Sequence, residues 1–292
     1  MSSEKAIVPP GALADGFHKL KHGRFEITVL SDGYITLTSD ILMPDGNPED
    51  RRSILGRLGG DADSAPLHTN IPLIRHGNDL ILVDTGAGGN FQPSDGRLAE
   101  NLSSFGVDPA SITKVVFTHV HPDHSGGTTK ADGSLLFPNA HYYVNEAEWS
   151  FWTDPDYEQK MPEALHAFAR GAQRDLFAVK DRLTMVKPGD EIVSGMNVVS
   201  TRGHTPGHIS LELAGDGSLM IAGDVIPNNI FSFENPKWHF GFDTEPEIAL
   251  TNRAALLDKA ANERLRVLGY HWTYPGVGYV ERNGTAYRFQ RG

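Results

Sequence analysis

Apolar and polar positions alternate from Phe25 to Thr38 on both sides of Ser31-Asp32-Gly33, which predicts a β-hairpin there. The same pattern runs from Ile71 to Val83 around His76-Gly77-Asn78-Asp79, predicting a second hairpin. Residues 94–106 carry Leu98, Leu102 and Phe105 at helical spacing. The β-branched run Lys114–Thr118 predicts a short buried strand, and Ala140–Val144 another. Glu146 to Phe177 reads as helical with a break near Asp154-Pro155. Strands are then expected at Thr184–Val186, Asn197–Thr201, Ile209–Leu213 and Ser218–Ala222. A helix follows over Pro246–Asn262, with Ile248, Ala254, Leu256 and Leu257 as its apolar points. Strands at Arg266–Tyr270 and Tyr279–Phe289 close the chain. Strands then helix, twice over, predict an α+β protein of two packed sheets with helices outside. Residues 1–22 have no period and read as an N-terminal arm. Residues 23–292 read as one domain with a helical insert near 146–180.

Composition narrows the function. Of 292 residues, 39% are hydrophobic and 22% charged, as in ordinary globular proteins. A net charge of −11 repels nucleic acid and anionic membranes, so a small-molecule substrate is expected instead. The chain contains no cysteine, which removes disulfides and thiolate metal ligands together. No apolar run is long enough to span a membrane. The first ten residues lack the apolar core of a signal peptide, so a cytoplasmic location is expected, with a periplasmic mature form as the alternative.

The chemistry concentrates in Thr118-His119-Val120-His121-Pro122-Asp123-His124. Three imidazoles and a carboxylate this close suit Zn²⁺, and burying them without a cation would be costly. The cluster reads as half of a metal site that activates water. Four further residues stand at the ends of expected strands, beside glycine or an apolar run: Asp84, His204, Asp224 and His271. Glycine at a strand end lets backbones approach a shared point. His141, His166 and His239 lack such settings and read as structural.

His-x-His-x-Asp-His, the later Gly203-His204-Thr205-Pro206-Gly207-His208, then Gly223-Asp224 and a late His271 resemble the metallo-β-lactamase superfamily, over roughly residues 70–275. The resemblance implies a four-layer αββα sandwich with a two-metal site at one edge of its sheets. It implies one cation bound by His119, His121 and His204, and a second by Asp123, His124 and His271. Asp224 would bridge them with a shared hydroxide, and Asp123 or Asp224 would hold the nucleophile's proton. Zinc is the first expectation for both cations, with manganese, iron or cobalt as alternatives. Asp84, Thr118 and His208 are candidates to orient the imidazoles.

Within the superfamily the chain is similar to methyl parathion hydrolase-like (organophosphate hydrolase) enzymes. The segments that carry this likeness are residues 82–91, 96–102, 137–140, 148–152, 275–278 and 287–289. That branch implies an aromatic leaving-group pocket, here Phe91, Trp152 and Phe168, and phosphotriesters or aryl esters as substrates. By analogy with that branch, a homodimer is the expected assembly. The aromatic run Phe231, Phe233, Trp238, Phe240 and Phe242 reads as core or capping loop. The alternative reading is a lactonase for acyl-homoserine or other lactones on the same site. Many such enzymes place Tyr where Pro227 stands, which leaves Tyr270 or another tyrosine to contact substrate. An iron-dependent persulfide dioxygenase-like oxidoreductase is the third reading.

Overall fold

The computed structural model describes residues 17–292. The chain runs β1 (Phe17–His22), β2 (Phe25–Thr38), α1 (Ser39–Leu42), α2 (Pro48–Arg57), β3 (Ser64–His76), β4 (Asp79–Val83), α3 (Leu98–Ser104), β5 (Lys114–Val116) and α4 (Pro122–Ser125). It continues through β6 (His141–Asn145), α5 (Glu146–Trp152), α6 (Tyr157–Lys160), α7 (His166–Val179), β7 (Leu183–Val186), β8 (Glu191–Val193), β9 (Met196–Ser200), β10 (Ile209–Gly215) and β11 (Gly217–Gly223). Last come α8 (Phe231–Glu234), α9 (Pro246–Glu263), β12 (Arg266–Gly269), β13 (Val277–Asn283) and β14 (Ala286–Arg291). One seven-stranded sheet has the order β1 to β7; the other runs β14 to β8.

Strict alternation sorts the side chains into layers. On β4, Ile81 and Val83 face the second sheet, while Leu80 and Leu82 face α3 and α7. On β11, Leu219 and Ile221 face inward, while Met220 and Ala222 meet Leu256, Leu257 and Ala260 of α9. Each such side chain contributes about 1.5–3 kcal/mol by leaving water. Burial on both faces of both sheets gives the four-layer αββα sandwich. Helix α7 buries Ala169, Ala172, Leu176 and Val179, a 3.6-period stripe. Phe168 stands off that stripe. On α9 the buried face is Ala249, Arg253, Leu256, Leu257 and Ala260, while Ile248 faces solvent.

Three expectations change. Phe25–Thr38 is one strand, not a hairpin. Both halves pair with the continuous β3, and Asp32 is absorbed as a bulge between Ser31 and Gly33. The Asp32 carboxylate then accepts the backbone N–H groups of Ala87, Gly96 and Leu98, fixing the loop after β4. Tyr279–Phe289 is two strands, since Gly284 at φ 64 turns the chain between β13 and β14. Of the expected arm, Phe17–His22 is the edge strand paired with β2, and residues 1–16 lie outside the described residues. Among the described residues no helix is long and apolar enough to cross a membrane.

Candidate active site

The parallel pairs β4/β5 and β11/β12 end at the same edge of the sandwich. The loops after those strands carry Asp84, the His119–His124 segment, Asp224 and His271; His204 follows β9. All seven expected ligands are buried. The donor atoms of His119, His121 and His204 lie within 4.8 Å of one another. The same holds for Asp123, His124 and His271, and for His119, His124 and Asp224. Asp224 faces both groups: its carboxylate oxygens are 3.5 Å from His204 Nε2, 3.5 Å from His124 Nε2 and 3.3 Å from His271 Nε2.

Each imidazole is aimed by its other nitrogen or by its backbone. Asp84 takes φ 63, unusual for a residue with a Cβ, which turns its carboxylate back over the end of β5. It accepts the Thr118 N–H and hydroxyl, each at 2.7 Å, and faces His124 Nδ1 at 2.8 Å. His271 Nδ1 donates to the His68 carbonyl at 2.9 Å. His204 Nδ1 lies 3.0 Å from Asp243, whose other oxygen accepts from buried Arg253 at 2.8 Å. His208 works on the backbone: its Nε2 accepts the Asp224 N–H at 2.9 Å, and Nδ1 meets Thr201, which joins Ser210. Burial holds His208 neutral, down at about 3, as an Nε2 acceptor requires. Gly223, at φ 58, leaves room for this contact, since a Cβ there would sit 2.7 Å from His208 Nε2. The residues expected to orient the imidazoles, Asp84, Thr118 and His208, all touch the cluster or its backbone.

The electrostatics divide the site. Burial, then the neighbouring imidazoles, hold His119 and His121 well below the ordinary histidine value. Yet His121 Nδ1 faces His119 Nε2 and His204 Nε2, each at 2.9 Å. On the other side burial opposes protonation, but Asp224 and Asp123 overcome it, placing His271 at about 10 and His124 well above its usual range. Asp123 Oδ2, His124 Nε2 and Asp224 Oδ1 are buried without a hydrogen-bond partner. Converging nitrogen lone pairs beside orphaned carboxylate oxygens are what divalent cations satisfy, so the residues present fit them.

A narrow cleft opens onto this floor. Its walls are Ile35, Leu37, Phe91, Phe168, Phe240 and Phe242. Phe91 and Phe168, both expected in the pocket, are there. Trp152, expected with them, is not. It is 1% exposed, packs in the core behind His121, and donates its indole N–H to Glu148 at 2.6 Å. Phe240 and Phe242 are cleft walls, whereas Phe231 and Phe233 are core. Tyr270 does not face the cleft: its buried hydroxyl donates to the Asp123 carbonyl at 2.6 Å, and its ring stacks on His124. His141 and His239 bond Thr184 and Asp45 at the surface, away from the site.

Glu148 and the Asp243–Arg253 pair escape sequence reasoning. Replacing Asp243 by alanine is expected to lower affinity for the cation nearest His204 about 10- to 100-fold. Leaving Arg253 buried without its anion should also cost about 3 kcal/mol of stability. Metal titration and urea denaturation measure the two effects; unchanged values in both would remove Asp243 from this role.

Comparisons with known proteins agree with this geometry. The chain belongs to the metallo-beta-lactamase superfamily, whose family model matches residues 65–271. It is 31% identical over 205 residues to metallo-beta-lactamase domain-containing protein 1 of Xenopus laevis, covering 70% of this chain and 71% of that one. It is 29% identical over 125 residues to the N-acyl homoserine lactonase AttM of Agrobacterium fabrum, covering 40% of this chain and 41% of that one. The structure of AidC, described as a dizinc quorum-quenching lactonase in complex with a product, superposes with a TM-score of 0.87 at 29% identity. That match covers 95% of this chain and 97% of AidC. The chain is thus a metal-dependent hydrolase.

Proposed function

We propose that this metal-dependent hydrolase opens the ester ring of N-acyl homoserine lactones. One observation carries the reading: a floor of buried imidazoles and carboxylates lies beneath a wall that, among the described residues, has no charged or hydroxyl side chain. Such a cleft accepts a neutral substrate with one polarised carbonyl or phosphoryl head and an apolar tail. Among the described residues its wall offers no cationic side chain for the carboxylate of a β-lactam. Lactones, aryl esters and phosphotriesters all meet the requirement. The segment likeness ranks phosphotriesters first, but the relatives with named substrates are lactonases, and that reverses the order.

His119, His121 and His204 would hold one cation, Asp123, His124 and His271 the other, and Asp224 would face both, with zinc the best fit to an N/O donor set. Two such cations would supply Lewis acidity and a lowered pKa for bound water. The protein's own part is to place the substrate and move one proton. The phenylalanine walls seat the acyl chain and exclude water, so the lactone carbonyl reaches the floor. A departing ring oxygen needs a proton that an activated aryl oxide does not. With the Tyr270 hydroxyl engaged, Asp123 is the group on the floor that takes the proton of the attacking water and returns it to that oxygen.

A panel of C4 to C12 acyl homoserine lactones, aryl esters and aryl phosphotriesters, run with zinc-loaded protein, tests this. Lactones should give the highest kcat/KM; a tenfold preference for phosphotriesters would overturn the lactone assignment. Phe168→Ala should raise KM for long-chain lactones about four- to fifteenfold, the worth of one or two buried methylenes, and leave the C4 substrate nearly unchanged.

A further inference from the structure

Helix α5 begins where strand β6 ends; of the two carboxylates in its first turn, Glu146 is exposed and Glu148 is buried among apolar neighbours. Glu148 is 0% exposed. Its Oε1 accepts the Val120 N–H at 2.9 Å and the Trp152 indole N–H at 2.6 Å. Its Oε2 accepts the Thr205 hydroxyl at 2.6 Å and the Gly207 N–H at 3.1 Å. Val120 separates His119 from His121, and Thr205 directly follows His204. One carboxylate therefore ties together two loops that lie far apart in the chain. Each loop carries part of the same imidazole triad. The approach is close: a Cβ on Gly207 would stand 2.0 Å from the Glu148 backbone nitrogen. Only glycine lets the His204 loop lie on the start of α5.

We propose that Glu148 is a positioning residue that sets the distance between the His119–His121 loop and the His204 loop, and so seats one cation rather than both. The proposal rests on the metal-site reading above. Burial raises the Glu148 carboxyl above its usual range, and its four donors, all neutral, oppose this by favouring the charged form beside the triad. A buried anion close to a dication strengthens binding there without touching it. The other triad, Asp123, His124 and His271, is held by Asp84, Tyr270 and the His68 carbonyl, none of which contacts Glu148.

Glutamine at this position discriminates. Val120 N–H and Trp152 Nε1–H cannot rotate, so the amide oxygen must face them. The amide NH₂ then faces Thr205, whose hydroxyl can turn to accept, and the Gly207 N–H, which cannot. The misfit falls on the His204 loop.

The test compares wild type, Glu148→Gln and Thr205→Val as zinc-loaded proteins, dialysed against graded chelator. Bound zinc is counted by mass spectrometry, cobalt-substituted spectra are recorded, and the melting of each metal-free form is measured. Glu148→Gln should release one zinc at about 10- to 100-fold lower chelator than wild type and hold the second unchanged. Thr205→Val, which keeps the residue's shape, should shift the same zinc less. Metal-free melting should stay within a few degrees of wild type for Thr205→Val, and the cobalt spectrum of the retained ion should match. Simultaneous loss of both ions in both variants, or wild-type retention of both, would overturn the proposal. A wild-type protein that binds no zinc would instead overturn the metal reading itself, a separate outcome.

Discussion

Asp224→Asn is expected to lower kcat about a thousandfold, ~4 kcal/mol of barrier, with the fold retained. The reason is position. Asp224 alone among the ligand candidates faces both triads, with nitrogens of His204, His124 and His271 within 3.3–3.5 Å of its oxygens. Asparagine preserves shape but removes a full negative charge and one acceptor from a floor that must balance two dications. Bound zinc should fall from two toward one. The backbone N–H of residue 224 would still reach His208, so the strand end and its glycine turn should hold. Far-UV circular dichroism and zinc counting separate this from unfolding. A variant with two zincs and kcat within tenfold of wild type would show that Asp224 does not join the ions.

The layers and the candidate ligands were legible in sequence for the same reason: both leave local signatures. Alternation marks a strand whichever partner it finds, and His-x-His-x-Asp-His is too dense to bury by chance. Of the residues that aim them, Asp84, Thr118 and His208 stand beside the motifs or at strand ends, but Asp243, Arg253 and Glu148 have no such signature. Asp243 sits in an irregular loop just after the aromatic run, and its partner Arg253 lies on the buried stripe of α9, where a cation looks out of place. Glu148 is a carboxylate on a buried helix face, a local oddity that sequence could have flagged four residues before Trp152. The Asp32 bulge misled because Ser-Asp-Gly favours a turn when taken alone. Pairing of both flanks with one long β3 outweighs that preference, as tertiary context commonly does. Trp152 carries an aromatic ring like Phe168, and only the partner of its N–H separates core from cleft wall.

Stripping the metal should lower the melting temperature by about 8–16 °C at neutral pH, since a ligand at a thousand times its Kd adds about 4 kcal/mol to a chain of this size. That gap should depend steeply on pH, and the sign follows from the histidines. In the metal-free protein Asp224 and Asp123 hold His271 up at about 10 and raise His124 as well, against burial. Both groups have folded values above their unfolded one near 6.5. Their contribution to metal-free stability is therefore complete below about 6.5; that of His271 is lost as pH climbs through about 10, and that of His124 is lost as pH climbs through its own raised value. At pH 7 both imidazoles carry protons that a cation must displace, so metal uptake should release about two protons. Apparent affinity then rises about 100-fold per pH unit, so the gap between loaded and stripped protein widens by ~2.7 kcal/mol per unit. The loaded protein stays level over the same range in which the stripped protein loses, and that loss opens the gap. Calorimetric titration in buffers of different ionisation heat counts the protons, and melting at pH 5.5, 7 and 8.5 reads the gap. A gap that stays flat across those three values, with no proton release, would mean that His124 and His271 do not hold the metal.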